Sequence, residues 1–209
     1  MGRMGDDRRP AMIVLGLTGS IGMGKSTTAN FFAEEGIPVH DADAVVHRLY
    51  EGEAAAAIEQ AFAGTTRDGK VDRERLAQRV LVDPAALARL EAIVHPLVRA
   101  AEAQFLADAE QAGAKIVVLN IPLLFETGAD KHVDVTVVVS APPAIQRMRV
   151  LARPGMSAQK LEMILEKQMA DEQKRARADF VVDTSRGFDS VRAQVRAILQ
   201  TVAGMPEGR

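Results

Sequence analysis

Apolar residues fall along this chain in two rhythms. Short runs that are apolar on both alternating faces are separated by longer stretches in which Ala, Leu and Val return every three or four positions. The short runs are Met12–Leu17, Ile37–His40, Ile116–Ile121, Val133–Val139 and Phe180–Asp183. A strand that is apolar on both faces needs cover on both sides. The pattern therefore predicts an α/β fold, a parallel five-stranded sheet flanked by helices and closed by right-handed crossovers.

The spacing of the runs is uneven. About 75 residues separate the second run from the third, more than one crossover helix requires. The intervening segment, 44–113, is rich in Ala, Leu, Glu and Arg and carries almost no strand signal. Asp83-Pro84 reads as a helix N-cap followed by a first-turn proline. From there Leu87, Leu90, Val94, Leu97, Val98 and Ala101 keep helical spacing, with Pro96 expected to kink or interrupt the helix. The segment is expected to be a helical insert in which an acceptor substrate could be held. A second excursion, about 146–177, carries Arg147, Arg149, Arg153, Lys160, Lys167, Lys174, Arg175 and Arg177, and Arg153-Pro154-Gly155 is expected to break it into two helices. On charge alone it is a solvated basic pair of helices. Beside a triphosphate site it reads as a lid whose arginines close over phosphates.

Gly19-Ser20-Ile21-Gly22-Met23-Gly24-Lys25-Ser26 spells G-x-x-x-x-G-K-S between the first strand and a helix expected over 27–35. In such a loop the glycines let backbone N–H groups converge on phosphates, Lys25 reaches the β- and γ-phosphates, and Ser26 offers a hydroxyl to Mg²⁺. The helix N-terminus adds free N–H groups and the positive end of its dipole. The glycines, Lys25 and Ser26 are therefore the candidate triphosphate-binding residues, with Ser26 the metal ligand. A plain strand-to-helix turn has no use for Lys25 and Ser26 at these places.

Composition narrows the class. At 209 residues with 47% hydrophobic and 26% charged residues, the chain has the make-up of an ordinary soluble domain. A net charge of −2 gives no global signature of nucleic-acid or membrane binding, and the absence of cysteine excludes disulfides, thiolate metal sites and a cysteine nucleophile. No run approaches a membrane span, and residues 1–10 resemble neither a signal peptide nor a myristoylation site, since Asp6 stands where Ser or Thr is wanted. The expectation is a cytoplasmic protein, a monomer or weak homo-oligomer, with 1–10 a disordered extension.

Asp41-Ala42-Asp43 follows the second strand, and ligands of doubly wound sheets gather at the carboxyl ends of strands. A spacing of two places both carboxylates on one side of an extended backbone. Transfer of a phosphoryl group to a hydroxyl needs a carboxylate to take or orient its proton. One of the pair could instead cap the next helix; that role falls to Asp41, leaving Asp43 as the base.

Gly16-Leu17-Thr18-Gly19-Ser20-Ile21-Gly22, the Asp41-Ala42-Asp43 strand end, Asp68-Gly69-Lys70-Val71-Asp72-Arg73, His95-Pro96, Ile121-Pro122-Leu123-Leu124-Phe125-Glu126, Gln168 and Ala178-Asp179 together resemble the dephospho-coenzyme A kinase family of P-loop kinases, in order from about residue 12 to residue 200. The resemblance implies transfer of the ATP γ-phosphate to the ribose 3′-hydroxyl of dephospho-coenzyme A. It also implies a nucleotide-binding core (11–43 and 114–209), a coenzyme A-binding subdomain (44–113) and the lid. Carried over by residue, the resemblance implies that Gly22, Met23, Gly24, Lys25, Ser26 and Thr27 hold ATP and Mg²⁺ and that Lys25, Asp43 and Arg153 are catalytic, with Arg153 acting on the transferring phosphoryl. Asp41, Asp43, His95, Pro96, Leu123, Leu124 and Glu126 shape the acceptor side, although His95 could be a helix-packing residue and at least one of the leucines plain core. The chain departs from the family pattern at Asn120, where many members have aspartate, and at Thr184 of Asp183-Thr184-Ser185, in a loop the resemblance places near the adenine.

Other readings are a different small-molecule kinase on the same scaffold, a GTP-binding switch, and a nucleotide-binding scaffold without catalysis. The first usually lacks the long insert combined with Pro122-Leu123-Leu124-Phe125-Glu126. The second needs an Asn-Lys-x-Asp run, which this chain lacks. The third has no use for Asp43 beside a basic lid.

Overall fold

The computed structural model describes residues 12–205, so the expected extension over 1–10 lies outside the described residues. In chain order the elements are β1 (Ile13–Thr18), α1 (Lys25–Glu34), β2 (Val39–Asp41), α2 (Ala42–Tyr50), α3 (Ala55–Ala61), β3 (Thr66–Arg67), β4 (Lys70–Val71), α4 (Arg73–Val80), α5 (Pro84–Gln111) and β5 (Ile116–Asn120). A 3₁₀ turn (Ala129–His132) precedes β6 (Val135–Ser140), α6 (Pro143–Leu151), α7 (Ala158–Leu165), α8 (Asp171–Arg177), β7 (Phe180–Asp183) and α9 (Phe188–Ala203).

The five-stranded sheet runs β2-β5-β1-β6-β7. β1 lies in the middle, parallel to β5 with Leu17 opposite Asn120 and parallel to β6 with Leu17 opposite Val137. Register is reinforced by carboxylates at the strand starts. The Val14 N–H donates to Asp134 Oδ2 at 2.7 Å, and the Thr136 N–H and hydroxyl both donate to Asp179 Oδ2 at 2.8 Å. Leu15, Leu17, Val118, Val137 and Val139 are buried with Phe32 of α1 and Val195 and Ile198 of α9 in one apolar cluster. Such two-sided burial is why these strands read as continuous apolar runs.

The chain divides into two compact units. One takes the residues up to His40 and from Ala109 onward; the other is Asp41–Asp108. The second has its own core, in which Val45, Leu49, Ile58, Phe62, Leu76, Leu90 and Val94 pack together. It is not wholly helical. β3 and β4 form an antiparallel hairpin turned by Asp68 (φ 52°) and Gly69 (φ 76°), an Asp-Gly pair in the left-handed geometry that two-residue hairpins need. The strands are two residues each, too short for an alternating pattern to register in the sequence.

Of the two outcomes expected at Pro96, interruption does not occur: α5 runs through it for 28 residues. The proline forfeits one backbone hydrogen bond, while Leu90, Ile93, Val94, Leu97 and Val98 on both sides of it bury against the same cluster. The basic excursion holds three helices, α6, α7 and α8, rather than two. The second break, before α8, coincides with the Met169 N–H donating out of the helical path to Glu126 Oε1 at 2.8 Å. Among the described residues no helix is long and apolar enough to cross a membrane.

Candidate functional site

The turn between β1 and α1 is fixed by residues far away in sequence. Gly22 (φ 78°) and Gly24 (φ 93°) hold left-handed backbone, and Gly24 caps α1. A Cβ on Gly22 would collide with Val150 Cγ2 of α6, so this position excludes any side chain on steric as well as dihedral grounds. Met23 is buried; its carbonyl accepts from the Thr184 hydroxyl at 2.8 Å, and its sulfur lies 3.2 Å from the Ala141 N–H. Lys25, in the first turn of α1, donates to Asn120 Oδ1 at 2.6 Å. Asn120 is fully buried at the carboxyl end of β5, so the departure from aspartate puts a neutral oxygen against the lysine. Ser26 is exposed on the same first turn.

Gly22, Gly24, Thr27 and Thr28 line a cavity of about 320 Å³ together with Arg149, Arg153, Thr184, Phe188 and Val191. Arg149 of α6 forks onto Thr184, donating through Nη1 to the hydroxyl at 2.9 Å and through Nη2 to the carbonyl at 2.8 Å. Arg153 follows α6 and is exposed. Phe188 is 68% exposed with its edge toward Phe31, a large apolar ring left at the cavity wall. Arg149 was expected only as one of the lid's basic residues and Thr184 only as part of a loop near the adenine, and Phe188 was not among the sequence candidates. They lie more than a hundred residues from the loop, and no short motif carries them.

Asp41 and Asp43 belong to the other unit. Asp41 caps α2, its Oδ1 accepting from the Ala44 N–H at 3.0 Å, whereas Asp43 is exposed in the first turn. β2 ends at Asp41 and the helix begins at Ala42, so the two carboxylates do not share one extended backbone. The alternation rule fails because the cap itself turns the chain. His95 and Pro96 are exposed on α5.

Leu124 is fully buried and Leu123 is 37% exposed, so the pair divides between core and surface. Glu126 sits in an ion pair. Its Oε1 lies 2.9 Å from Nζ of Lys174, whose side chain is completely buried, and accepts from the Met169 N–H. Burial pushes the Glu126 carboxyl up, but Lys174 and the backbone N–H groups outweigh it and hold the group below the usual range. This pair joins the turn after β5 to α8. Lys174→Met is expected to cost about 3 kcal/mol, since it strands a partly buried carboxylate, and a lower melting temperature at pH 7 would register the loss. The depressed pKa stabilises the fold above the ordinary carboxyl value of 4.5, and that contribution is lost as pH falls through the lowered value. The Lys174→Met variant should therefore lose less stability than the parent over that acid window.

A family model described as dephospho-CoA kinase matches residues 13–189. A protein of Bradyrhizobium diazoefficiens named dephospho-CoA kinase is 63% identical over 198 residues, 95% of this chain and all of that protein. Among solved structures, one from Thermus thermophilus superposes with a TM-score of 0.81 at 36% identity, covering 92% of this chain and 99% of that one. The dephospho-CoA kinase of Campylobacter jejuni gives 0.69 at 25% identity, covering 90% and 96%.

Proposed function

Because the chain belongs to the dephospho-CoA kinase family, and so phosphorylates dephospho-coenzyme A with ATP in the final step of coenzyme A biosynthesis, we propose that Lys25, Asp43 and Arg153 carry the transfer. The observation that carries this reading is the cavity walled by Gly22, Gly24, Thr27 and two arginines. Backbone N–H groups, a helix N-terminus and guanidinium forks are the groups that suit a triphosphate. Lys25 leaves Asn120 for the β- and γ-phosphates. The exchange is easy because an amide oxygen holds an ammonium less tightly than a carboxylate does. Phe188 and Thr184 border the nucleoside end, the ring offering a face to the adenine.

The residues fit a magnesium ion as well. Mg²⁺ takes oxygen ligands and keeps most of its shell as water and phosphate oxygens, so the exposed Ser26 hydroxyl suffices as the protein's share. When bound with ATP it offsets phosphate charge. Asp43 takes the proton of the acceptor hydroxyl, a role its freedom from capping leaves open. Arg153 grips the transferring phosphoryl when the lid segment closes. The helical unit, taken as 44–113, supplies the acceptor-binding residues, with His95 and Pro96 among them, and the rest of the chain is the nucleotide-binding core. Glu126 acts through its Lys174 pair by holding the turn that carries Leu123. The protein works in the cytoplasm as a monomer or weak homo-oligomer.

The test is ADP release with Mg²⁺-ATP over a panel of acceptors. Dephospho-coenzyme A should give a product phosphorylated at the ribose 3′ position. Adenosine, nucleoside monophosphates and shikimate should give little. A higher kcat/KM for any of these would refute the acceptor assignment.

A further inference from the structure

Ile21 stands at the turn of the phosphate loop, and both polar groups of its backbone are taken by glutamines from outside the loop. Gln146 of α6, itself buried, donates from Nε2 to the Ile21 carbonyl at 2.8 Å. The Ile21 N–H donates to Gln168 Oε1 at 3.1 Å, from the segment between α7 and α8. Gln168 is held from behind, because its neighbour Met169 is bonded to Glu126 and Glu126 to the buried Lys174. The two glutamines lie on either side of α7, one in α6 and the other in the segment before α8.

A peptide plane is rigid and trans, so fixing a carbonyl fixes the next N–H in the opposite sense. Gripping the Ile21 carbonyl thus sets the direction of the Gly22 N–H. Gripping the Ile21 N–H likewise sets the Ser20 carbonyl, which accepts from the Met23 N–H at 3.1 Å. Gly22 has no side chain to hold its own peptide, so the constraint has to come from outside. We propose that Gln146 and Gln168 are positioning residues for phosphoryl transfer, a donor and an acceptor that together orient the Ile21 peptides and hence the loop N–H groups offered to the nucleotide. This rests on the loop being the nucleotide site.

The opposite polarity of the two bonds supplies the test. Q146E and Q168E each add one negative charge beside the same residue, so general repulsion of ATP is shared. A carboxylate at 168 still accepts from the Ile21 N–H. At 146 it cannot donate and faces the Ile21 carbonyl. The KM for ATP should be about tenfold or more higher in Q146E than in Q168E, each measured at a temperature where the variant is folded. If Q146E does not fold, the uncharged Q146M and Q168M replace the comparison. Both should raise the KM for ATP more than they lower kcat, and Q168E should outperform Q168M. Equal impairment of Q146E and Q168E, or an unchanged KM in Q146M, overturns the proposal. Failure of the underlying loop assignment looks different: Lys25→Ala would then turn over normally, whatever the glutamine variants do.

Discussion

Asp43→Asn is expected to lower kcat about 10²–10⁴-fold while leaving ATP affinity nearly unchanged. The substitution keeps the shape of the side chain and its hydrogen-bonding capacity and removes only basicity. Asp43 is exposed in the first turn of α2, so no core packing is disturbed. Asp41→Asn is the matched control. Asparagine caps helices about as well as aspartate, so the bond to the Ala44 N–H survives and both stability and turnover should stay near the parent values. Steady-state kinetics on the two variants decide the assignment. A crippled Asp41→Asn beside an active Asp43→Asn would reverse the roles.

Lys25→Ala should reduce kcat by a hundredfold or more, about 3–4 kcal/mol of lost transition-state stabilisation. In the fold itself the same change deletes the hydrogen bond to Asn120, so its effect on folding should be small, about 1 kcal/mol for that bond. The expected result is therefore a wide gap between a large kinetic defect and a small shift in melting temperature. Turnover close to the parent's would remove the loop from the reaction.

How much of this was legible in the sequence follows from how local each signal is. β5 and β6 fall within two residues of the apolar runs that mark them, because strands buried on both faces write their own boundaries. The phosphate loop was equally plain, because G-x-x-x-x-G-K-S is one contiguous run, even though the contacts that hold it come from Asn120, Val150 and Thr184 far along the chain. The β3–β4 hairpin was missed although Asp68-Gly69 is a hairpin turn, because two-residue strands leave no periodicity. Glu126 looked like an acceptor residue, and only the fold reveals Lys174 of α8 beside it. Arg149 with Thr184, and Gln146 and Gln168 with Ile21, are partnerships across long separations that residue type alone does not announce. Asp41 and Asp43 show the opposite failure, in which a correct rule for strands was carried two residues past the end of the strand.

The position of β1 in the sheet also sets an order of events during synthesis. Its partner β5 begins at Ile116, about a hundred residues downstream of Ile13, and β6 is later still. On leaving the ribosome β1 therefore has neither neighbour until about a hundred further residues have followed it. The Asp41–Asp108 unit, by contrast, has a core drawn from its own residues and can collapse in the interval. Until β5 emerges, Leu15 and Leu17 remain apolar surface on an unpaired strand, the state most exposed to aggregation in a nascent chain.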